Sequence, residues 1–298
     1  MSTNTMGPVV VGVDGSDSAR HAAQWAAVEA VPRHLPLRLV HAVKLPVVPY
    51  RGGVMDQGYF DGMAEFGRQQ LAELQAEIAE IHPDLDIHTE VVIADPVATL
   101  IAESGAARLL VLGSRGLGGF TGILVGSTAV AVVAHGHCPV VVVRGRTPDG
   151  IPPVGGPVVV GLDGSPASEA AVAIAFDEAS LRGVGLIAVH AWSEYQSDKA
   201  YAYARQFVVD WDAIDTRERE VLAERLAGWQ EKYPDVVVQR VVTRDRPVRA
   251  LLEHTADAQL LVVGSRGHAG FTGMLLGSTS QALIYHGTCP LLVARPTD

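Results

Sequence analysis

The sequence predicts an α/β protein made of two tandem doubly wound domains, each a five-stranded parallel sheet covered by helices. Three observations predict it. The second half repeats the first, at an offset of 149 residues early in the chain and 151 late. Each half alternates short apolar runs with stretches of helical period. The runs VVVGV (9–13), RLLVLG (108–113) and PVVVV (139–143) are apolar on both faces, as strands buried between two helical layers must be.

The repeat is carried by distinctive segments. Gly12-Val13-Asp14-Gly15-Ser16 falls on Gly161-Leu162-Asp163-Gly164-Ser165, and His41-Ala42 falls on His190-Ala191. Residues 113–128, GSRGLGGFTGILVGST, fall on 264–279, GSRGHAGFTGMLLGST, with twelve of sixteen positions identical. Cys138-Pro139 falls on Cys289-Pro290. A period this long marks duplicated domains, since solenoid repeats are several-fold shorter. Between the copies, residues 144–156 read RGRTPDGIPPVGG, a Gly/Pro-rich stretch without period and hence a linker. The domains are placed at 1–146 and 157–298, joined by a linker at 147–156 with the break near Pro152.

Taken in order, residues 9–13 predict a strand and 18–31 a helix, followed by a strand at 37–43. Residues 44–62 are loop-like, with several Gly and Pro. Residues 63–81 predict an amphipathic helix, with Leu71, Leu74 and Ile78 on one face. A strand follows at 87–93, then a helix at 96–105 opened by Pro96 in its first turn. Strands at 109–112 and 140–143 flank a helix near 127–134. The resulting βαβαβαβαβ order predicts a flavodoxin-like or Rossmann-like module twice over, with strand order 3-2-1-4-5. In the second half, residues 193–211 carry Tyr195, Tyr201, Tyr203, Phe207 and Trp211 among polar residues; they read as a surface excursion, a lid or a partner contact.

Composition narrows the function. The net charge is −10 and the lysines are Lys44, Lys199 and Lys232 alone, so no cationic cluster exists to neutralise a nucleic-acid backbone. Nucleic acid and anionic membrane surfaces are poor partners. No apolar stretch reaches the roughly 18 residues of a membrane span, and the N-terminal apolar run lacks a preceding cation. A cytoplasmic protein with reduced thiols at Cys138 and Cys289 is the expectation.

In an open parallel sheet, ligands bind beyond the carboxyl ends of the strands where the winding reverses. Two loops of each half end there: Asp14-Gly15-Ser16 after strand 1, and Gly113-Ser114-Arg115-Gly116 after strand 4. The second loop has the spacing G-x2-G-x9-G-S, from Gly113 and Gly116 to Gly126-Ser127, repeated at Gly264, Gly267 and Gly277-Ser278. Glycines let backbone N–H groups approach a phosphate, and Gly126-Ser127-Thr128 and Gly277-Ser278-Thr279 open helices whose first amides and dipole favour an anion. Hydrogen bonds to a charged group contribute roughly 1.5–3 kcal/mol each, so three or four support micromolar binding without a lysine. G-x-x-x-x-G-K-[ST] is absent, which excludes a P-loop NTPase.

This combination, a strand-1 Asp, the doubled glycine loop and a final Cys-Pro-apolar strand, resembles the ATP-binding branch of the universal stress protein family. The likeness covers nearly the whole chain, twice, and the chain resembles the tandem-domain members found in actinobacteria. It implies ATP, carried with Mg²⁺, in each half. Gly113, Gly116, Gly126 and Ser127 would contact phosphates in the first half, and Gly264, Gly267, Gly277 and Ser278 in the second. Asp14 and Asp163 would lie by the ribose and adenine, and the backbone of Ala42 and Ala191 near the adenine edge. Gly12, Ser114, Arg115, Gly119 and Thr128 complete the first candidate set. Gly161, Ser265, Arg266, Gly270 and Thr279 complete the second. Arg115 and Arg266 pair with phosphate or point to solvent. Asp95-Pro96 stands against Arg246-Pro247, so the two pockets are expected to differ.

Other residues have plainer explanations. Asp-Gly-Ser alone is a turn or an N-cap, and only its pairing with the strand-4 loop makes it a site. His135, His137, Cys138, His286 and Cys289 suit helix C-termini and core better than a metal. His41 and His190 are expected partly buried and not catalytic. No convincing general base accompanies Asp14 or Asp163, so the expectation is a nucleotide-dependent regulator, not an enzyme. Slow ATP hydrolysis or phosphoryl transfer, and a nucleotide-independent scaffold, stay open as alternatives. The apolar last strands, 140–143 and 291–294, are expected at sheet edges, where the resemblance implies pairing of domains or of chains and thus a homodimer.

Overall fold

The computed structural model describes residues 7–44, 57–116, 125–146, 150–192, 210–267 and 275–296. The chain divides into two compact units, Met1–Pro152 and Pro153–Asp298.

In the first unit, strands β1 (Val9–Gly12), β2 (Leu37–Val43), β3 (Ile87–Ile93), β4 (Leu109–Gly113) and β5 (Val140–Val143) alternate with helices α1 (Asp17–Arg33), α2 (Gln57–Ile81), α3 (Pro96–Glu103) and α4 (Ser127–His135). The second unit repeats the plan with β6 (Val158–Gly161), α5 (Pro166–Arg182), β7 (Leu186–Trp192), α6 (Trp211–Lys232), β8 (Val238–Arg244), α7 (Pro247–His254), β9 (Leu260–Gly264), α8 (Ser278–His286) and β10 (Leu291–Ala294). Strand order is β3-β2-β1-β4-β5 in one unit and β8-β7-β6-β9-β10 in the other. The neighbours within each unit pair in parallel. The doubly wound order read from the sequence is the order observed.

The winding follows from the burial pattern. Val9, Val10 and Val11 are buried on both faces, as are Val158, Val159 and Val160. Helix α1 packs with α2, and α3 with α4, so the two crossover directions place their helices on opposite faces. The direction of winding reverses at β1, which lies between β2 and β4 in register Val11 to Leu39 and Val11 to Val111. That register sets the loops after β1 and β4 side by side.

Helix α2 differs from its sequence reading. It begins at Gln57, not at residue 63, and runs through Gly58 and Gly62. Gly62 meets no neighbour that a side chain would touch. It is helical because the buried stripe of Ala64, Leu71, Leu74 and Ile78 anchors the turns beyond it. Residues 45–56 and 193–209, which contain most of the two loop-like segments, lie outside the described residues. The second unit adds an aromatic seam, Phe176 of α5 lying 6.0 Å from Trp229 and 5.8 Å from Tyr233. Cys138 and Cys289 are buried and not joined in a disulfide. Among the described residues, no helix is long and apolar enough to cross a membrane.

Candidate functional site

The β1–α1 loop is built around one carboxylate. Gly15 takes φ 87°, a left-handed turn that swings the chain off the sheet edge. Ser16 then caps α1: the Ala19 N–H donates to its Oγ at 3.2 Å. In turn the Ser16 N–H and O–H donate to Asp14 Oδ1 at 3.0 and 2.6 Å, which fixes the carboxylate over the crevice. The second unit repeats each contact: Ser168 N–H to Ser165 Oγ at 3.2 Å, and Ser165 N–H and O–H to Asp163 Oδ1 at 3.0 and 2.7 Å.

The β4 loop closes against it. Gly126 N–H donates to the Ser114 carbonyl at 2.8 Å, and Gly277 N–H to the Ser265 carbonyl at 2.8 Å. This draws the first and last turns of the glycine motif together, so a side chain at Gly126 would meet Ser114 O at 3.8 Å and Gly116 N at 3.9 Å. The amides of Gly126 and Gly277 are thereby spent on the loop. Neither residue has a side chain to cap its helix, α4 or α8. The helix openings at Ser127-Thr128 and Ser278-Thr279 thus stand at the crevice without the side-chain cap that Ser16 gives α1.

The two loops touch. A Cβ on Gly116 would collide with Asp14 Oδ2, and one on Gly267 would stand 2.5 Å from Asp163 Oδ2. The strand order predicted from sequence places both loops at one crevice; the structure brings each Asp against the second glycine of the neighbouring loop. Ser114 is fully buried and its Oγ has no hydrogen-bond partner, while its backbone N–H donates to Val143 O at 3.1 Å.

Other residues of the candidate sets have roles in packing. A Cβ on Gly113 would lie 2.6 Å from the carbonyl carbon of Ser18, and one on Gly264 2.7 Å from that of Ala167, so these glycines admit α1 and α5 to the sheet. Gly12 faces Leu112 and Leu100, and Gly161 faces Leu251 and Val263. Arg115 is half-buried and Arg266 exposed. Ala42 and Ala191 are half-buried at the ends of β2 and β7, opposite Val92 and Thr243. Gly119 and Gly270 lie outside the described residues.

The units differ around the shared core. Asp95 caps α3 through the Val97 and Ala98 amides and pairs with Lys44 at 3.3 Å, whereas Arg246 gives α7 no side-chain cap. Arg225 of α6 lays its guanidinium over Gly164 and bonds Glu169 at 2.7 Å. In the first unit the residue aligned with Arg225 at offset 151 is the buried Leu74, and Arg20 pairs across to Glu77 at 2.5 Å. His190 sits with Nδ1 2.9 Å from Leu162 O and Nε2 3.0 Å from Glu218 Oε2. His41 meets Gly67 where His190 meets Glu218, and the sequence signal for that difference was available in the α2 and α6 alignment at offset 151.

Burial pushes His41 below the ordinary imidazole value, against the opposing pull of the Val13 carbonyl and the Asp14 charge. The folded unit therefore favours the neutral ring and the unfolded chain takes the proton more readily. Stability holds above about pH 6.5 and declines as pH falls from there towards the folded value. The denaturant midpoint of the wild-type chain should drop between about pH 7 and pH 5.5 by more than that of His41→Leu. Parallel midpoints for the two proteins would remove His41 from the acid response.

The profile of the universal stress protein family matches residues 6–144 and 156–295. Universal stress protein Rv2005c of Mycobacterium tuberculosis is 43% identical over 290 residues, covering 96% of this chain and 96% of that protein. Universal stress protein Rv2623 of the same organism is 41% identical over 299 residues, covering 99% and 98%. Among solved structures, a universal stress protein from Archaeoglobus fulgidus shares the fold over 98% of this chain and 97% of its own, with a TM-score of 0.72 at 21% identity. The chain belongs to the universal stress protein family, as a tandem of two of its domains.

Proposed function

We propose that this protein is an ATP-binding regulator of the stress or growth response, with one nucleotide site in each unit and no catalytic set of its own. The observation that carries this reading is the duplicated juncture of a fixed carboxylate with a glycine loop: Asp14 against Gly116, and Asp163 against Gly267. Beside each juncture a helix opens without a side-chain cap. Amides at Ser127 and Thr128, or at Ser278 and Thr279, would take the phosphates, aided by the helix dipole. Asp14 and Asp163 would accept from ribose hydroxyls, while Ala42 and Ala191 offer backbone groups to the base. Gly126 supports the same assignment. Its φ of −69° suits any residue, and the nearest atoms to an added Cβ stand 3.8 Å away, so the fold itself does not demand glycine there.

Magnesium fits this donor set as an ion arriving with the nucleotide. Each unit offers one carboxylate next to the phosphate loop, and Mg²⁺ is usually held by one or two carboxylates together with substrate phosphates. When bound, it neutralises phosphate charge. The residues here orient and shield the phosphates, and Asp14, already gripped by Ser16, is placed to position a hydroxyl and not to carry a proton away.

Calorimetric titration of the full chain with ATP and Mg²⁺ tests the reading. Two equivalents with dissociation constants in the micromolar range are expected, because three or four charged hydrogen bonds supply roughly 8 kcal/mol. Absence of uptake, or uptake of one equivalent only, would defeat the two-site assignment.

A further inference from the structure

The carboxyl edges of the two units part company beyond the shared loops. At the end of β7, Trp192 stacks on Trp211, the first residue of α6, with ring centroids 6.1 Å apart and planes 24° apart. Arg244, register partner of Trp192 on β8, places its guanidinium carbon 3.7 Å from the Trp211 ring centroid and 5.8 Å from that of Trp192. Val43, Phe60 and Ile93 hold the same places in the first unit, with Val43 and Ile93 again register partners. These counterparts are all apolar, Val43 buried and Ile93 exposed. Two indoles and an exposed guanidinium exceed what the fold needs at this corner.

Their position relative to the loops is set by register. His190 Nδ1 lies 2.9 Å from the carbonyl of Leu162, the residue before Asp163, and Trp192 stands two residues further along β7. Residues of alternate number share a face of the sheet, so Trp192 lies on the same α6 side as His190. Adjacent strands are about 4.8 Å apart, which puts the end of β7 roughly 10 Å from the glycine loop after β9, with Asp163 between them. A nucleotide anchored by its phosphates at Gly267 and its ribose at Asp163 is thereby directed, base foremost, to β7.

The indole itself is poised for a ligand. Trp192 is half-buried, so part of its ring remains accessible, yet its Nε1 is buried and has no hydrogen-bond partner. Buried indole N–H groups ordinarily find an acceptor, and an orphan is costly. The accessible part of the ring offers a flat π face on which a purine can stack, while the N–H lies in the ring plane and takes no part in that stack.

We propose that Trp192, backed by Trp211 and Arg244, is the base-stacking wall of the second unit's site, so that this unit grips the face of the base where the first unit meets the base through the Ala42 backbone alone. This deepens the nucleotide-binding reading and rests on it. Base–aromatic stacking commonly changes affinity by roughly ten- to a hundredfold.

The test is calorimetry on the full chain with two probes, ATP and inorganic tripolyphosphate, the second lacking a base. The wild type should show a tighter and a weaker ATP site. Trp192→Val, which installs the first unit's residue, should weaken the tighter one about tenfold or more and leave tripolyphosphate binding unchanged. Trp192→Phe, keeping a ring face without the N–H, should fall between. If Trp192→Val binds ATP as the wild type does, the wall is refuted while the two-site reading stands. If ATP and tripolyphosphate weaken together in both variants, Trp192 acts on the fold and the proposal is equally refuted. Should the wild type take up tripolyphosphate but no ATP, the nucleotide reading itself falls.

Discussion

Gly116→Ala is expected to leave the folded chain binding one equivalent of ATP where the wild type binds two, and Gly267→Ala should remove the other. The added Cβ has no room beside Asp14 Oδ2 in the first unit, and would stand 2.5 Å from Asp163 Oδ2 in the second. The obstacle is the end of a side chain, so the fold survives and the carboxylate gives way. Yielding is not free. Asp14 Oδ1 is held by both the N–H and the O–H of Ser16, and Ser16 Oγ is also the cap of α1. Turning the carboxylate aside loses its bonds to the ribose and puts a methyl group where the phosphate loop must close. Loss of one or two charged hydrogen bonds corresponds to about 2–5 kcal/mol, a thirtyfold or larger fall in affinity at that site. Calorimetric stoichiometry of each single variant and of the double variant measures this. A Gly116→Ala protein that still binds two equivalents at wild-type affinity would show that Asp14 and Gly116 do not share a ligand.

The sequence made the architecture legible because its signals were redundant. Strands such as 9–12 and 140–143 are continuous apolar runs, helices α1 and α5 open on Ser16 and Ser165, and every feature occurs twice. The start of α2 was not legible. Gly58 and Gly62 reduce local helix propensity, and the packing of Ala64 and Leu71 that overrides them is a tertiary effect. At the site, glycine spacing identified the loops but not the separate duties of the glycines. Gly113, Gly116 and Gly126 look alike as letters. In space the first abuts a helix backbone, the second a carboxylate and the third only neighbours at ordinary van der Waals distance. The stack of Trp192, Trp211 and Arg244 stayed hidden for a related reason, since the three are up to 52 positions apart and meet only where the start of α6 reaches the β7–β8 pair.

Among the glycines of the two loops, that division places the larger expected loss of stability at Gly264 and its counterpart Gly113. A Cβ at Gly264 would lie 2.7 Å from the carbonyl carbon, 2.8 Å from the oxygen and 2.9 Å from the Cβ of Ala167. At Gly113 the obstacles are the carbonyl carbon and Oγ of Ser18 at 2.6 Å and its oxygen at 2.7 Å. Most of these atoms are helix backbone, so no rotamer change relieves the clash and the first turn of α5 or α1 must lift from the sheet. Overpacking of this kind costs about 1–3 kcal/mol or somewhat more. Removing a glycine from the unfolded chain returns only about 0.4–1 kcal/mol. A net loss near 2 kcal/mol should lower the melting temperature of the affected unit by roughly 4–8 °C, read by calorimetry or circular dichroism. The two variants should then separate in their effect on binding. Ser18 Oγ accepts the Arg115 N–H at 3.3 Å, so lifting α1 disturbs the phosphate loop of the first unit directly. Ala167 has no hydroxyl to make that link in the second. Gly113→Ala should therefore lose both stability and ATP affinity, while Gly264→Ala loses stability with a smaller change in affinity. Wild-type melting in both proteins would mean that α1 and α5 stand further from the sheet than these contacts require.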